Sequence, residues 1–162
     1  MSKDGSPQIY TIPASGGAAT ALTTGSGTAT SPCWSPDGSR VVYNSDEHGS
    51  VQLYTVAASG GSPTRLVTNI MYSAEPDWSP DGAKITFTGR VAGQFQIGIY
   101  DLASGRTTMI PTAMGQNPTW TTNSRHLVYA RSGDLYVLDT VTGRTAPLSL
   151  GLAKCTEPAI AH

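Results

Sequence analysis

Charge is scarce in this chain: 13% of its 162 residues are Asp, Glu, Lys or Arg, and the formal net charge is −1. The 10 Lys and Arg are spread along the length, Arg125-His126 being the nearest thing to a cluster, so nothing argues electrostatically for nucleic acid or an anionic membrane surface. Cysteine is almost missing. Cys33 and Cys155, far apart, establish neither a disulfide framework nor a metal site, and whether they bond to one another stays open. No apolar run approaches the roughly 18 residues of a membrane-spanning helix. No stretch of about 12 residues keeps a helical period, and the longest candidate, 73–83, is broken by Pro76 and Pro80.

Catalytic patterns are equally sparse. There is no Gly-x-Ser-x-Gly nucleophile elbow. His48, His126 and His162 lack metal-ligand spacing and none sits near a cysteine. Asp46 and Glu47 are too few oxygens for a cation site, and Gly25-Ser26-Gly27 lacks the lysine of a phosphate loop. The sequence therefore predicts no enzyme active site, no metal and no cofactor. Met1-Ser2-Lys3-Asp4-Gly5 runs straight into polar sequence, without a secretory leader.

What the chain has is turns and a repeat. Eighteen Gly and eleven Pro, with many Ser and Thr between short apolar patches, read as many short strands. Three segments align: Pro32-Cys33-Trp34-Ser35-Pro36-Asp37-Gly38, Pro76-Asp77-Trp78-Ser79-Pro80-Asp81-Gly82 and Pro118-Thr119-Trp120-Thr121-Thr122-Asn123-Ser124. Their prolines stand 44 and then 42 residues apart, and Pro158 follows 40 later without a tryptophan. A period near 40–45 residues fits a β-propeller blade of four strands.

Each unit repeats the same order. An alternating strand follows the turn (Val41 and Tyr43; Ile85 and Phe87; Leu127 and Tyr129 on one face), then a polar loop and a third strand. A glycine hairpin (Gly60-Gly61, Gly105, Gly143) then leads to a fourth, edge strand. Asp37 and Asp81 read as turn formers, and Trp34, Trp78 and Trp120 as packing between blades. The fold class is therefore all-β, a propeller of four-stranded antiparallel blades. Complete units span 29–72, 73–114 and 115–155, third and fourth strands of a partial blade fall in 1–28, and 156–162 supplies the first strand of a closing blade. That inventory is below the roughly four to eight blades of a usual ring, which predicts a fragment of a larger propeller. Apolar faces at residues such as Ile9, Ile12 and Leu22 would then be open, so the chain is expected to self-associate or to be marginally stable.

The unit Pro-x-Trp-Ser-Pro-Asp-Gly, followed by Lys or Arg, an alternating strand, Gln-Ile/Leu-Tyr and a glycine hairpin, resembles the TolB-type propeller family from Gln8 to Ile160. The same unit occurs in other bacterial propellers and in the amino-terminal propeller of prolyl-oligopeptidase-like peptidases. The resemblance implies the carboxy-terminal half of a periplasmic, non-enzymatic protein of the Tol–Pal envelope system, which supports envelope integrity and cell division. It implies a Pal-like lipoprotein as partner, bound at the mouth of the propeller channel. Alternatives are the propeller of a larger peptidase-type enzyme and a small-molecule or carbohydrate-binding propeller. On the channel face lie the loops 25–31, 69–75, 113–117 and 151–157. By position in the family, the partner-binding residues are Tyr72, Ser73, Glu75, Gln116, Asn117 and Glu157, with Met71 and Met114 offering adaptable apolar contacts.

Overall fold

A computed structural model describes residues 5–148 and 158–159. These form strands and turns, with no helix among the described residues. Twelve strands make three four-stranded antiparallel sheets, each in sequence order. The first comprises β3 (Ala29–Trp34), β4 (Arg40–Ser45), β5 (Gln52–Ala57) and β6 (Thr64–Arg65). The second comprises β7 (Ser73–Trp78), β8 (Lys84–Val91), β9 (Gln94–Asp101) and β10 (Arg106–Met114). The third comprises β11 (Gln116–Trp120), β12 (His126–Arg131), β13 (Asp134–Asp139) and β14 (Thr145–Pro147). Ahead of them β1 (Tyr10–Thr11) pairs with β2 (Thr20–Ala21) as a two-stranded sheet.

The turn chemistry explains why each sheet starts alike. In the first, Ser35 Oγ donates to Asp37 Oδ1 at 2.6 Å, the Ser39 amide donates to the same oxygen at 3.0 Å, and Gly38 takes φ 68°. Ser79, Asp81 and Gly82 repeat this, with a 2.6 Å hydroxyl–carboxylate bond and φ 74°. The third sheet keeps the bonds with other residues: Thr121 Oγ1 lies 2.7 Å from Asn123 Oδ1, the Arg125 amide donates to that oxygen at 2.9 Å, and Ser124 accepts φ 52°. Short polar side chains thus close a turn that the backbone alone would leave open. The Ser35 hydroxyl, then the Ser39 amide, holds the exposed Asp37 carboxyl down at about 2.

The cores lie between sheets. Val42, Leu53 and Leu66 of the first sheet pack against Trp78, Ile85, Phe87 and Tyr100 of the second. Ile97, Ile110 and Ala113 of the second pack against Trp120, Leu127, Tyr129 and Leu138 of the third. Both faces of the second strands are consequently covered, so β4 is buried from Val41 through Ser45.

Two expectations are corrected here. Trp78 and Trp120 are buried between sheets, but Trp34 is 51% exposed. Trp78 packs in one cluster with Val42, Leu53 and Leu66 of the first sheet, and Trp120 with Ile97, Ile110 and Ala113 of the second; among the described residues the first sheet is preceded by the two-stranded β1–β2 sheet and not by a four-stranded one. Ile9 and Leu22 are not open: they are buried against Ala29, Val41, Tyr43, Tyr54 and Val56, and only Ile12, at 62%, is largely exposed. The expected closing strand at 156–162 and Cys155 lie outside the described residues, Pro158 and Ala159 apart.

Candidate functional site

From each outer strand the chain crosses back to the innermost strand of the next sheet, and the candidate residues cluster at that arrival. Ser73, Glu75, Gln116 and Asn117 lie within the first strands β7 and β11, and not in loops as the sequence suggested. The strands begin early because each carries a bulge. Ser31, Glu75 and Asn117, each just before a proline, take φ of 53°, 54° and 53°, and the pairing shifts register at these points. Proline fits the bulge because its missing N–H falls where the ladder is interrupted. A left-handed non-glycine residue before proline is sterically disfavoured, by about 1–3 kcal/mol, and holds only where its surroundings over-determine it.

Those surroundings are hydrogen bonds between sheets. Asn44 on β4 accepts the Glu75 amide at Oδ1 (3.0 Å) and donates to Thr30 Oγ1 (2.9 Å). Glu75 Oε2 in turn accepts Thr88 Oγ1 at 2.6 Å and the Asn117 amide at 2.9 Å. Glu75 therefore ties all three sheets at the bulge level. One turn deeper a second series runs through the middle residue of Pro-x-Trp. The Trp78 amide donates to Cys33 Sγ at 3.4 Å, Cys33 Sγ donates to Asp77 Oδ1 at 3.2 Å, and Asp77 Oδ2 accepts the Trp120 amide at 2.7 Å and Thr119 Oγ1 at 3.1 Å. Burial, and secondly the Asp77 charge, push the Cys33 thiol up to about 12.

Above this scaffold is the accessible surface. Gln52 Nε2 donates to the carbonyls of Ile70 (3.1 Å) and Met71 (2.8 Å), fixing the crossing segment, and leaves the Met71 side chain 85% exposed. Tyr72 is half-buried, tilted against Phe95 with centroids 5.8 Å apart, and Arg90 lies over Phe95 at 5.8 Å. Burial, then the Glu75 charge, raise the Tyr72 hydroxyl's pKa, and Arg90 partly offsets this. On the third sheet Arg131 lies over Tyr136 at 5.5 Å. Two-residue turns present both arginines: Ala92-Gly93 has φ of 49° and 81°, Ser132-Gly133 of 54° and 88°, the paired positive values that match strand twist.

The structure thus divides the candidates. Met71, Tyr72, Met114, Gln116 and Asn117 keep accessible surface, as does Glu75, whose Oε2 is engaged. Ser73 has none; its hydroxyl lies 2.9 Å from that of Thr68 and its amide donates to the Val51 carbonyl. Glu157 lies outside the described residues. Sequence reasoning missed Asn44 and Thr88, which look like ordinary strand residues, and Arg90, Phe95, Arg131 and Tyr136. An arginine and an aromatic flanking a tight Ala-Gly or Ser-Gly turn was the available signal for those four. Elsewhere, a cleft of about 610 Å³ is lined by Gln8, Tyr10 and Thr23, and one of about 410 Å³ by Lys84, Asp101, Arg106 and Thr140. Among the described residues no three His, Cys, Asp or Glu side chains gather as a metal site.

Comparison with known proteins gives a family profile described as "TolB beta propeller domain", matching residues 1–159. No curated protein sequence matches the chain. Among solved structures, TolB from Acinetobacter baumannii is similar at 26% identity and TM-score 0.79, over 91% of this chain and 39% of that one. A putative TolB from Agrobacterium tumefaciens is similar at 22% identity and TM-score 0.76, over 88% of this chain and 55% of that one. A puromycin-hydrolyzing peptidase from Mycobacterium tuberculosis shares the fold at 19% identity and TM-score 0.66, over 84% of this chain and 23% of that one. The chain thus spans 39% to 55% of the length of the two TolB structures.

Proposed function

The chain belongs to the TolB β-propeller domain family, and from that premise we propose that it is a non-enzymatic protein-interaction module whose channel-mouth face takes a Pal-like lipoprotein in the periplasm. Under this reading the repeat units divide at 28/29, 72/73, 114/115 and 155/156. The contact set is Met71, Tyr72, Ser73, Glu75, Met114, Gln116, Asn117 and Glu157, with Ser73 and Glu75 serving mainly to shape the surface.

One observation carries the reading: Met71 is 85% exposed while its backbone carbonyl is held by Gln52. A long apolar side chain held out to solvent on a fixed segment, with Tyr72 beside it, suits a partner's surface better than it suits water. Methionine, tyrosine and arginine are enriched in protein interfaces, and loops on rigid scaffolds commonly carry binding. Rigidity lowers the ordering cost that association otherwise incurs.

The test is a calorimetric titration of the chain with the soluble domain of a Pal-like lipoprotein. Binding is expected, with Tyr72→Ala weakening it by about 2 kcal/mol as an interface hot spot does, and Val141→Ser, 75% exposed on a different loop, leaving it unchanged. Absence of binding, or equal loss from both substitutions, overturns the assignment.

A further inference from the structure

We infer that Met71 is a sulfoxidation site, oxidised by a hydroperoxide ahead of the other described methionines, and that its sulfoxide weakens the partner-binding face while leaving the fold intact. The claim about binding rests on the reading of this face as a protein-binding surface. The claim about the site of oxidation does not.

Of the chain's four methionines, the three described ones stand in different surroundings. Met109 packs against the core of Val42, Leu53, Leu66, Trp78 and Phe87. Two glycines make the hollow that holds its thioether: an added Cβ would stand 2.7 Å from Met109 Cε at Gly89 and 2.8 Å from Met109 Sδ at Gly98. Met114 ends β10, opposite Gln96 in the ladder, and is partly buried. Met71 alone of the three is 85% exposed. That exposure belongs to a held segment. Gln52 Nε2 donates to the Met71 carbonyl, the Ile70 amide reaches Thr68 Oγ1 at 3.3 Å, and the Ser73 amide donates to the Val51 carbonyl at 3.0 Å. Cys33 competes poorly for the oxidant, because its thiol, pushed up to about 12, yields little thiolate at neutral pH.

The step is an oxygen transfer. A sulfur lone pair attacks the hydroxyl oxygen of the hydroperoxide, the S–O bond forms and the O–O bond breaks. The proton of that hydroxyl passes to the departing oxygen, which leaves as water or an alcohol. Sulfur is oxidised by two electrons and the peroxide is reduced by two. The product is a polar, chiral sulfoxide in place of a flexible apolar side chain, a change that disrupts methionine-bearing contacts. On Met71 the new oxygen stands in water and the folded chain tolerates it. Against a partner's apolar surface the same oxygen must be desolvated without a partner of its own. On Met109 it would have to enter a filled core.

The test exposes the full chain, carrying Cys155→Ser, to hydrogen peroxide at neutral pH. Each methionine peptide is quantified by mass spectrometry over time, and the urea midpoint is followed in parallel. Met71 sulfoxide is expected to form about tenfold faster than Met109 sulfoxide, with the midpoint unchanged while Met71 alone is oxidised. Met109 reacting as fast, or a midpoint that falls in step with Met71, overturns the site. The soluble domain of a Pal-like lipoprotein is then titrated before and after the Met71 stage. Oxidation should weaken binding about tenfold, and the two epimer-specific methionine sulfoxide reductases together should restore it. In Met71→Leu, whatever its starting affinity, the ratio of affinities before and after peroxide should fall to about one. An unchanged affinity on oxidation of the parent chain, or the same loss in Met71→Leu, overturns the effect on binding. A chain that never binds the lipoprotein sinks the protein-binding reading and that effect with it, while the peptide map still decides the site.

Discussion

Among single residues, Glu75 and Gly115 carry the most structure for their size. Glu75→Ala removes the acceptor that joins Thr88 to the Asn117 amide, and loss of a partly buried charged acceptor costs about 1–3 kcal/mol. Urea melts should show that loss, with Glu75→Gln recovering much of it through its remaining carbonyl oxygen. At Gly115 an added Cβ would stand 2.4 Å from the Ala130 carbonyl oxygen and 2.6 Å from the Tyr129 ring. Because one of those neighbours is backbone, Gly115→Ala is expected to destabilise by about 1–3 kcal/mol; a wild-type midpoint would show that the crossing has room. Cys33 supplies a pH test. Its folded pKa lies near 12, above the ordinary 9.0. The stability it contributes is therefore present below about pH 9 and lost as pH rises towards 12. In a Cys155→Ser background its alkylation at pH 8 should be far slower than that of a free thiol. A normal rate would show that the contact with Asp77 is open.

Blade elements test the packing order more sharply than single polar groups. Trp78→Ala and Trp120→Ala should each cost about 3–5 kcal/mol, as large aromatic deletions in a core do. Trp34→Ala, at a sequence-equivalent position, should cost less than about 1 kcal/mol, because half of its indole meets water. Equal effects at all three positions would contradict the described arrangement. This contrast also marks how far the sequence is legible. The period, the Ser-Pro-Asp-Gly turns and the alternation of Val41-Tyr43 or Ile85-Phe87 are local and repeat, so strand order could be read directly. Whether Trp34 is covered depends on what stands beside it, which the motif does not encode. Of the candidate site, the sequence shows the segment but not its conformation. Ser73 and Glu75 read as part of an entry loop, whereas the bulge that draws them into β7 depends on long-range bonds with Asn44, Thr88 and Asn117. Arg90 and Arg131 escaped notice because the stacking of each on its ring, Phe95 and Tyr136, depends on register across a hairpin.

At the scale of the whole molecule, three sheets stacked through two cores and one partial core leave Trp34 and Ile12 exposed at one end. An open apolar end favours association. Light scattering should find species heavier than the monomer at high concentration, shifting towards monomer on Trp34→Ser; a strictly monomeric chain would mean that this end is adequately solvated. The proposed protein-binding face lies along the other dimension of the stack, at the mouth of the channel. Hydrogen–deuterium exchange of the chain with and without the soluble domain of a Pal-like lipoprotein tests it most directly. New protection is expected across 69–75, 90–95 and 113–117, and none at the glycine hairpins 58–61, 103–106 and 141–144. Protection confined to those hairpins, or no change anywhere at saturating partner, would contradict it.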